Sequence, residues 1–179
     1  MNSIDLVTIL GNISQSLYPV QHLITGAAYM LGILFAMTAI SKLMKIGGSA
    51  SSSSKEHMYT PMMYLFIGAV LLYLPSALHV AANTAFGVGN VLTYATASSS
   101  SIYSNMGLIM QTAGMLWFVR GCVLVAHSSH PGEKHGPKGL AFICAGILSM
   151  NFDNSVSMLN SAMNYVTTLT KAVASSQGY

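Results

Sequence analysis

Charge is scarce in this chain. Only 6% of its 179 residues are Asp, Glu, Lys or Arg, against about 25% in an ordinary soluble domain. A soluble protein of this size would have too few ionic groups to cover its surface, whereas a surface facing lipid needs none. The acids number four, Asp5, Glu56, Glu133 and Asp153, and they are scattered. No pair of carboxylates is placed for acid–base work. Walker A, GxSxG, HExxH and CxxC motifs are also missing, so no catalytic, cofactor-binding or metal-ligating residue is expected and the chain does not read as an enzyme. The two cysteines, Cys122 and Cys144, lie in apolar runs, and no structural disulfide is expected from them. A net charge of +3, divided among short loops, gives no case for direct nucleic-acid binding. What the chain does have is apolar residues, at 53%, and a mean hydropathy of +0.57. These point to an all-α integral membrane protein.

The first 20 residues place Ile4, Val7, Leu10, Ile13 and Leu17 at helical spacing opposite Asn2, Asp5, Thr8, Asn12 and Ser16. That is an amphipathic helix whose polar face lacks Lys and Arg, suited to a partner helix rather than to anionic headgroups. With Asp5 and no positive n-region, it is not expected to be a cleaved signal peptide. Residues 23–41 form a continuously apolar run close to the ~20 residues that span ~30 Å of hydrocarbon. A polar, Gly/Ser-rich, basic loop follows. Residues 61–82 form a second span, with Pro61 in the first turn and Pro75 inside, where it is expected to kink or break the helix. Residues 83–105 are an uncharged connector, with a short helix expected around Asn90–Ala97. Residues 106–126 form a third span. Residues 127–137 are a tight polar loop, and 139–152 a fourth apolar run, short for a crossing, with a continuation past Asp153 left open. In the tail, Val156, Leu159, Met163, Val166, Leu169 and Val173 define a second amphipathic helix with an uncharged polar face. The expected architecture is one membrane domain of about four transmembrane helices. It divides into an amphipathic helix (1–20), a first hairpin (21–82), a periplasmic connector (83–105), a second hairpin (106–153), and an amphipathic helix and tail (154–179).

Five of the seven basic residues, Lys42, Lys45, Lys55, Lys134 and Lys138, sit in or border two loops. By the positive-inside rule, loops 42–60 and 127–138 are cytoplasmic, and both termini and the connector periplasmic. The chain also repeats itself. Ala28, Met30 and Leu31 match Ala113, Met115 and Leu116 at an offset of 85, and Pro61, Phe66, Ile67, Ala69 and Leu72 match Pro137, Phe142, Ile143, Ala145 and Leu148 at an offset of 76. A shorter second loop accounts for the difference. Two crossings per unit make a parallel repeat rather than the inverted kind common in transporters.

Arg120 is the only Lys or Arg inside an expected span, and a cation at mid-bilayer costs at least ~2.5–3.5 kcal/mol. Pairing with a lipid headgroup or another helix is the plain reading, with snorkelling toward the cytoplasm; a translocation path is the sharper one. His79, beyond Pro75, reads as an interfacial hydrogen-bonding residue, since the first three spans offer no acid as a relay partner. His127, His130 and His135 cluster with Glu133, but at no standard metal spacing. Ala28, Gly32 and Ala36 in the first span, and Ala141 and Ala145 in the fourth, are small-xxx-small faces for close helix packing, within the chain or between copies.

The stretch HMYTPMMYLFIGAVLLYLPSALHVAANTAFG, with the preceding AAYMLGILFAMTAISKL, resembles the IcmC/DotE family of Dot/Icm type IVB secretion systems, related to IcmD/DotP. The resemblance covers roughly residues 20–155 and rests on a whole-length pattern. It implies a non-catalytic structural subunit in the bacterial inner membrane, within a machine that moves effector proteins or, in related conjugation systems, DNA. The expected partners are other secretion-system membrane subunits, further copies of the chain, and phospholipid. A small transporter or channel using Arg120 and His79 is the alternative. A second is a pilin-like or assembly-factor membrane protein, since each hairpin is also similar to the small hairpin pilins of type IV systems.

Overall fold

The computed structural model describes residues 3–48, 58–87, 102–130 and 132–176. Every element among them is helical: α1 Ser3–Gly48, α2 Tyr59–Leu72, α3 Leu74–Phe86, α4 Ile102–Ser128, α5 Gly136–Met150 and α6 Phe152–Ser176. The expected short helix around Asn90–Ala97 lies outside the described residues. Cys122 is buried, Cys144 is exposed, and both are free thiols.

The expected amphipathic helix of residues 1–20 and the span 23–41 are one uninterrupted helix of 46 residues, about 69 Å long at 1.5 Å per residue. Pro19 lies inside it. A proline there removes one backbone hydrogen bond and crowds the carbonyl four residues earlier, at a cost near 3 kcal/mol. No glycine adjoins Pro19, and the helix runs through it without a break.

Two helices, Thr8–Gly48 within α1 and Asn105–Ser128 within α4, are long and apolar enough to cross a membrane, and the bent pair α2–α3 is a third if taken as one span. The expected span of residues 61–82 is broken beside Pro75 into α2 and α3. The helix stops at Leu72, Tyr73 takes φ −105° and ψ 37°, and α3 begins at Leu74 with Pro75 in its first turn. The two axes differ by 98°. Pro75 has no N–H to offer the carbonyl of Leu71 and disfavours helical geometry just before it, so of the expected kink or break it is the break that forms, as an elbow. α2 alone, with 14 residues, reaches only about 21 Å.

A second elbow follows α5, which has 15 residues. Asn151 adopts φ −110° and ψ 51°, close to Tyr73. No proline is involved. Instead Asn151 Nδ2 donates to Ile147 O at 3.2 Å, and Ser155 Oγ lies 2.7 Å from Leu148 O and 2.9 Å from Asn151 O. Side chains that bond their own backbone draw it out of the helix. The helix is therefore interrupted at Asn151, and α6 starts at Phe152 as a separate element.

α1 packs against α2, and α4 against α5, as two antiparallel hairpins that meet chiefly through α1 and α4. The core between them holds Ala28, Phe35 and Ala39 of α1, Tyr64, Ile67 and Leu71 of α2, Leu74 and Leu78 of α3, and Phe118, Cys122 and Ala126 of α4. α6 touches the bundle only near its start, and every side chain from Val156 to Ser175 is exposed.

Candidate functional site

Glycines set both hairpins. A methyl group on Gly32 would stand 2.9 Å from Gly68 O, and one on Gly68 would stand 3.1 Å from Gly32 O. In the second hairpin, Gly114 and Gly146 face each other so that either methyl would meet the other's carbonyl at 2.8 Å. Gly121 and Gly139 repeat this two turns away, at 2.8 and 3.1 Å. Only glycine permits such backbone approach. Gly32, from the first-span stripe, is therefore an intramolecular contact, with Ala28 buried beside it. Ala141 and Ala145 line a groove with Trp117 of α4, Lys138 and Phe142, while the close backbone contacts of α5 with α4 are made by Gly139 and Gly146.

These contacts also correct the repeat. An offset of 82 carries Gly32 onto Gly114, and an offset of 78 carries Gly68 onto Gly146 and Tyr73 onto Asn151. The same offsets carry Phe35 onto Trp117 and Tyr64 onto Phe142. Both pairs are in edge contact, with ring centroids 5.4 Å apart in the first hairpin and 6.4 Å in the second. A cation lies over the second ring of each pair at 5.6 Å: Lys42 Nζ over Tyr64, and Arg120 Cζ over Phe142. Each such contact contributes about 0.5–1 kcal/mol when exposed. The offsets of 85 and 76 expected from residue identities are thus displaced by three and two positions. Matches among interchangeable apolar residues had outvoted the glycines.

The two copies of this motif differ in what covers them. In the first hairpin, Phe35 and Tyr64 are buried. His127 lies 6.3 Å from each ring, and His130 lies 5.7 Å from Tyr64. Tyr64 Oη and His130 Nε2 are 3.0 Å apart, and the buried Thr60 Oγ1 donates to Ser129 O at 2.8 Å. This latch ties the start of α2 to the end of α4. In the second hairpin the equivalent face is open. Trp117 is 48% exposed, and with Lys138, Ala141, Phe142 and Ala145 it lines a groove of about 330 Å³. Arg120 is exposed above Phe142.

At the other end of the bundle, Gln21 Nε2 donates to Thr112 Oγ1 at 2.9 Å, and Thr112 Oγ1 in turn to Leu108 O at 2.8 Å. An apolar groove of about 510 Å³ lies under the first elbow, lined among others by Val70, Tyr73, Ala77, Phe118, Cys122 and Ile147. His79 and Pro75 are exposed on α3. His135 pairs with Glu133 at 3.1 Å. His127, His130 and His135 are thus divided between a packing face and a surface pair. Among the described residues, no three His, Cys, Asp or Glu side chains converge on a point.

This arrangement can hold helices together and present apolar and cationic surface. Among the described residues, the latch histidines have no carboxylate partner of the kind that orients a catalytic base. Thr60, Tyr64 and Ser129 were not expected as a site, because nothing in a linear reading joins residues so far apart. Gly114/Gly121 and Gly139/Gly146 did carry a signal: an equal spacing of seven on two neighbouring apolar segments. Comparison with protein-family models, with curated proteins and with solved structures finds no match to this chain.

Proposed function

We propose that the chain is a non-catalytic, multi-pass structural subunit of a bacterial inner-membrane secretion machine of the type IVB kind, serving assembly of its translocation channel. On this reading α1, the elbowed pair α2–α3, α4 and α5 make four crossings. The loops around Lys42–Lys55 and Lys134–Lys138 face the cytoplasm, and both ends face the periplasm. The observation that carries the proposal is α6. It leaves the bundle with Val156, Leu159, Met163, Val166, Leu169 and Val173 exposed along one stripe and mostly Asn, Ser and Thr, with Lys171, on the rest of its surface. In water such a stripe is stable only against another protein surface. Its partners are further copies of the chain or other membrane subunits of the machine. The resemblance of residues 27–43 and 57–87 to the IcmC/DotE family supports the same reading.

Arg120 and His79 offer no comparable support for a transporter. Arg120 lies over Phe142 on the outside of the second hairpin, and His79 is exposed on α3. The test is the oligomeric state of the full chain in mild detergent. The chain is expected to run as a homo-oligomer or with secretion-system subunits, and Leu159→Ser with Val166→Ser is expected to release it as a helical monomer. A wild-type monomer that carries solute across liposomes, with flux lost in Arg120→Ala, would contradict the proposal.

A further inference from the structure

The uncovered face of the second hairpin has a defined chemistry. Arg120 immediately precedes Gly121, and Lys138 immediately precedes Gly139. The close approach of those two glycines therefore holds both cations at one level. Arg120 lies over Phe142, and Lys138 lines the groove that Phe142 shares with Trp117, Ala141 and Ala145. Neither cation has an ion-pair partner among the described residues. Lys138 also lies in the first turn of α5, where the helix dipole favours an anion over a cation. Lys138 lies about 3 Å from the start of α5 and Arg120 about 12 Å from the end of α4, within reach of a headgroup layer for long, snorkelling side chains.

We infer that this groove binds one anionic phospholipid, its phosphate between Arg120 and Lys138 and an acyl chain along Ala141 and Ala145, against the outer sides of the Trp117 and Phe142 rings. In the first hairpin the equivalent rings, Phe35 and Tyr64, are covered by His127 and His130. Charge decides between lipid and a second copy of the chain. At the offset of 82 the residue equivalent to His127 is Lys45, so a second copy docked in the same way would bring a third cation to Arg120 and Lys138. A phosphate brings the opposite charge.

Trp117 is the chain's single tryptophan, so its fluorescence reports this groove alone. The full chain is reconstituted in phosphatidylcholine vesicles containing either phosphatidylglycerol or phosphatidylcholine with brominated acyl chains, which quench on contact. Phosphatidylglycerol is expected to be preferred, by about fivefold per cation. Arg120→Gln and Lys138→Gln are each expected to remove about that factor, while Arg120→Lys keeps the preference and serves as the folded control. Added inorganic phosphate is expected to leave the quenching unchanged, because the acyl chain is part of the site; competition by phosphate alone would overturn the lipid assignment. Equal quenching by the two lipids, or an undiminished preference in the double glutamine variant, would overturn the site while leaving the membrane reading intact. No quenching by either lipid, together with crosslinking of Ala141→Cys between copies, would give the groove to a second copy. No quenching without that crosslink would remove Trp117 from the bilayer and overturn both readings.

Discussion

Tyr64 and His130 are separated by 66 residues and meet at 3.0 Å. With Thr60 and Ser129 they tie one hairpin to the other at the end that carries the basic loops. Replacing a buried hydroxyl that has a partner costs about 0.5–1.5 kcal/mol, so Tyr64→Phe is expected to lower the melting temperature by a few degrees. Tyr59→Phe, at an exposed position, is expected to leave it unchanged. Equal melting of both variants and the parent, followed by circular dichroism in detergent, would remove the latch from the account. Little at this scale was legible beforehand. The loop histidines drew notice as titratable groups near Glu133, yet only His135 meets that acid. The other two meet aromatic rings on distant helices, and no local spacing encodes that. Arg120 was legible as an exceptional residue because burying a lone cation in lipid is costly. Its place over Phe142 was not legible, since it depends on the register of α4 against α5.

Within each element, glycine and hydrogen-bonding side chains decide where helices touch and where they end. Gly114→Ala would set a methyl group 2.8 Å from Gly146 O and force the hairpin apart, with an expected loss of about 1–3 kcal/mol. Gly26 has nothing within 4 Å of an added methyl group, so Gly26→Ala is expected to be stabilising by about 0.5–1 kcal/mol. Thermal unfolding of the two variants should shift in opposite directions; a shared direction would discount the glycine contacts. The apolar segments were readable from composition and periodicity, as were the amphipathic stripe of α6 and the disturbance at Pro75. The sharpness of the first elbow was not, because a proline sets where a helix is weakened but its neighbours set the angle. The elbow at Asn151 has no proline at all. Pro19 is the opposite case: a strong local breaker stands inside α1 and the helix continues through it.

For the whole molecule, one hairpin plan is used twice, each with a close glycine contact, an aromatic pair, a cation over its second ring and an elbow after the second helix. The repeat was legible in outline from residue identities, but its register came only from the facing glycines and stacked rings. The two copies then differ in their environment. One motif is enclosed by the other hairpin, while its counterpart and the stripe of α6 are left facing outward. On this account the molecule is half of its own interface, and its outer surfaces are meant for lipid and for neighbours. The central claim is that both hairpins enter and leave the membrane from the same side. It is tested by labelling single cysteines at Ser52, Ser99, Gly132 and Ser175 with a membrane-impermeant maleimide, in a background with Cys122 and Cys144 replaced by Ala. The account predicts that Ser99→Cys and Ser175→Cys react from the periplasm, and that Ser52→Cys and Gly132→Cys react only after the membrane is opened. Labelling of Ser52→Cys and Ser99→Cys from the same side would make α2–α3 a re-entrant elbow rather than a crossing, and would contradict it.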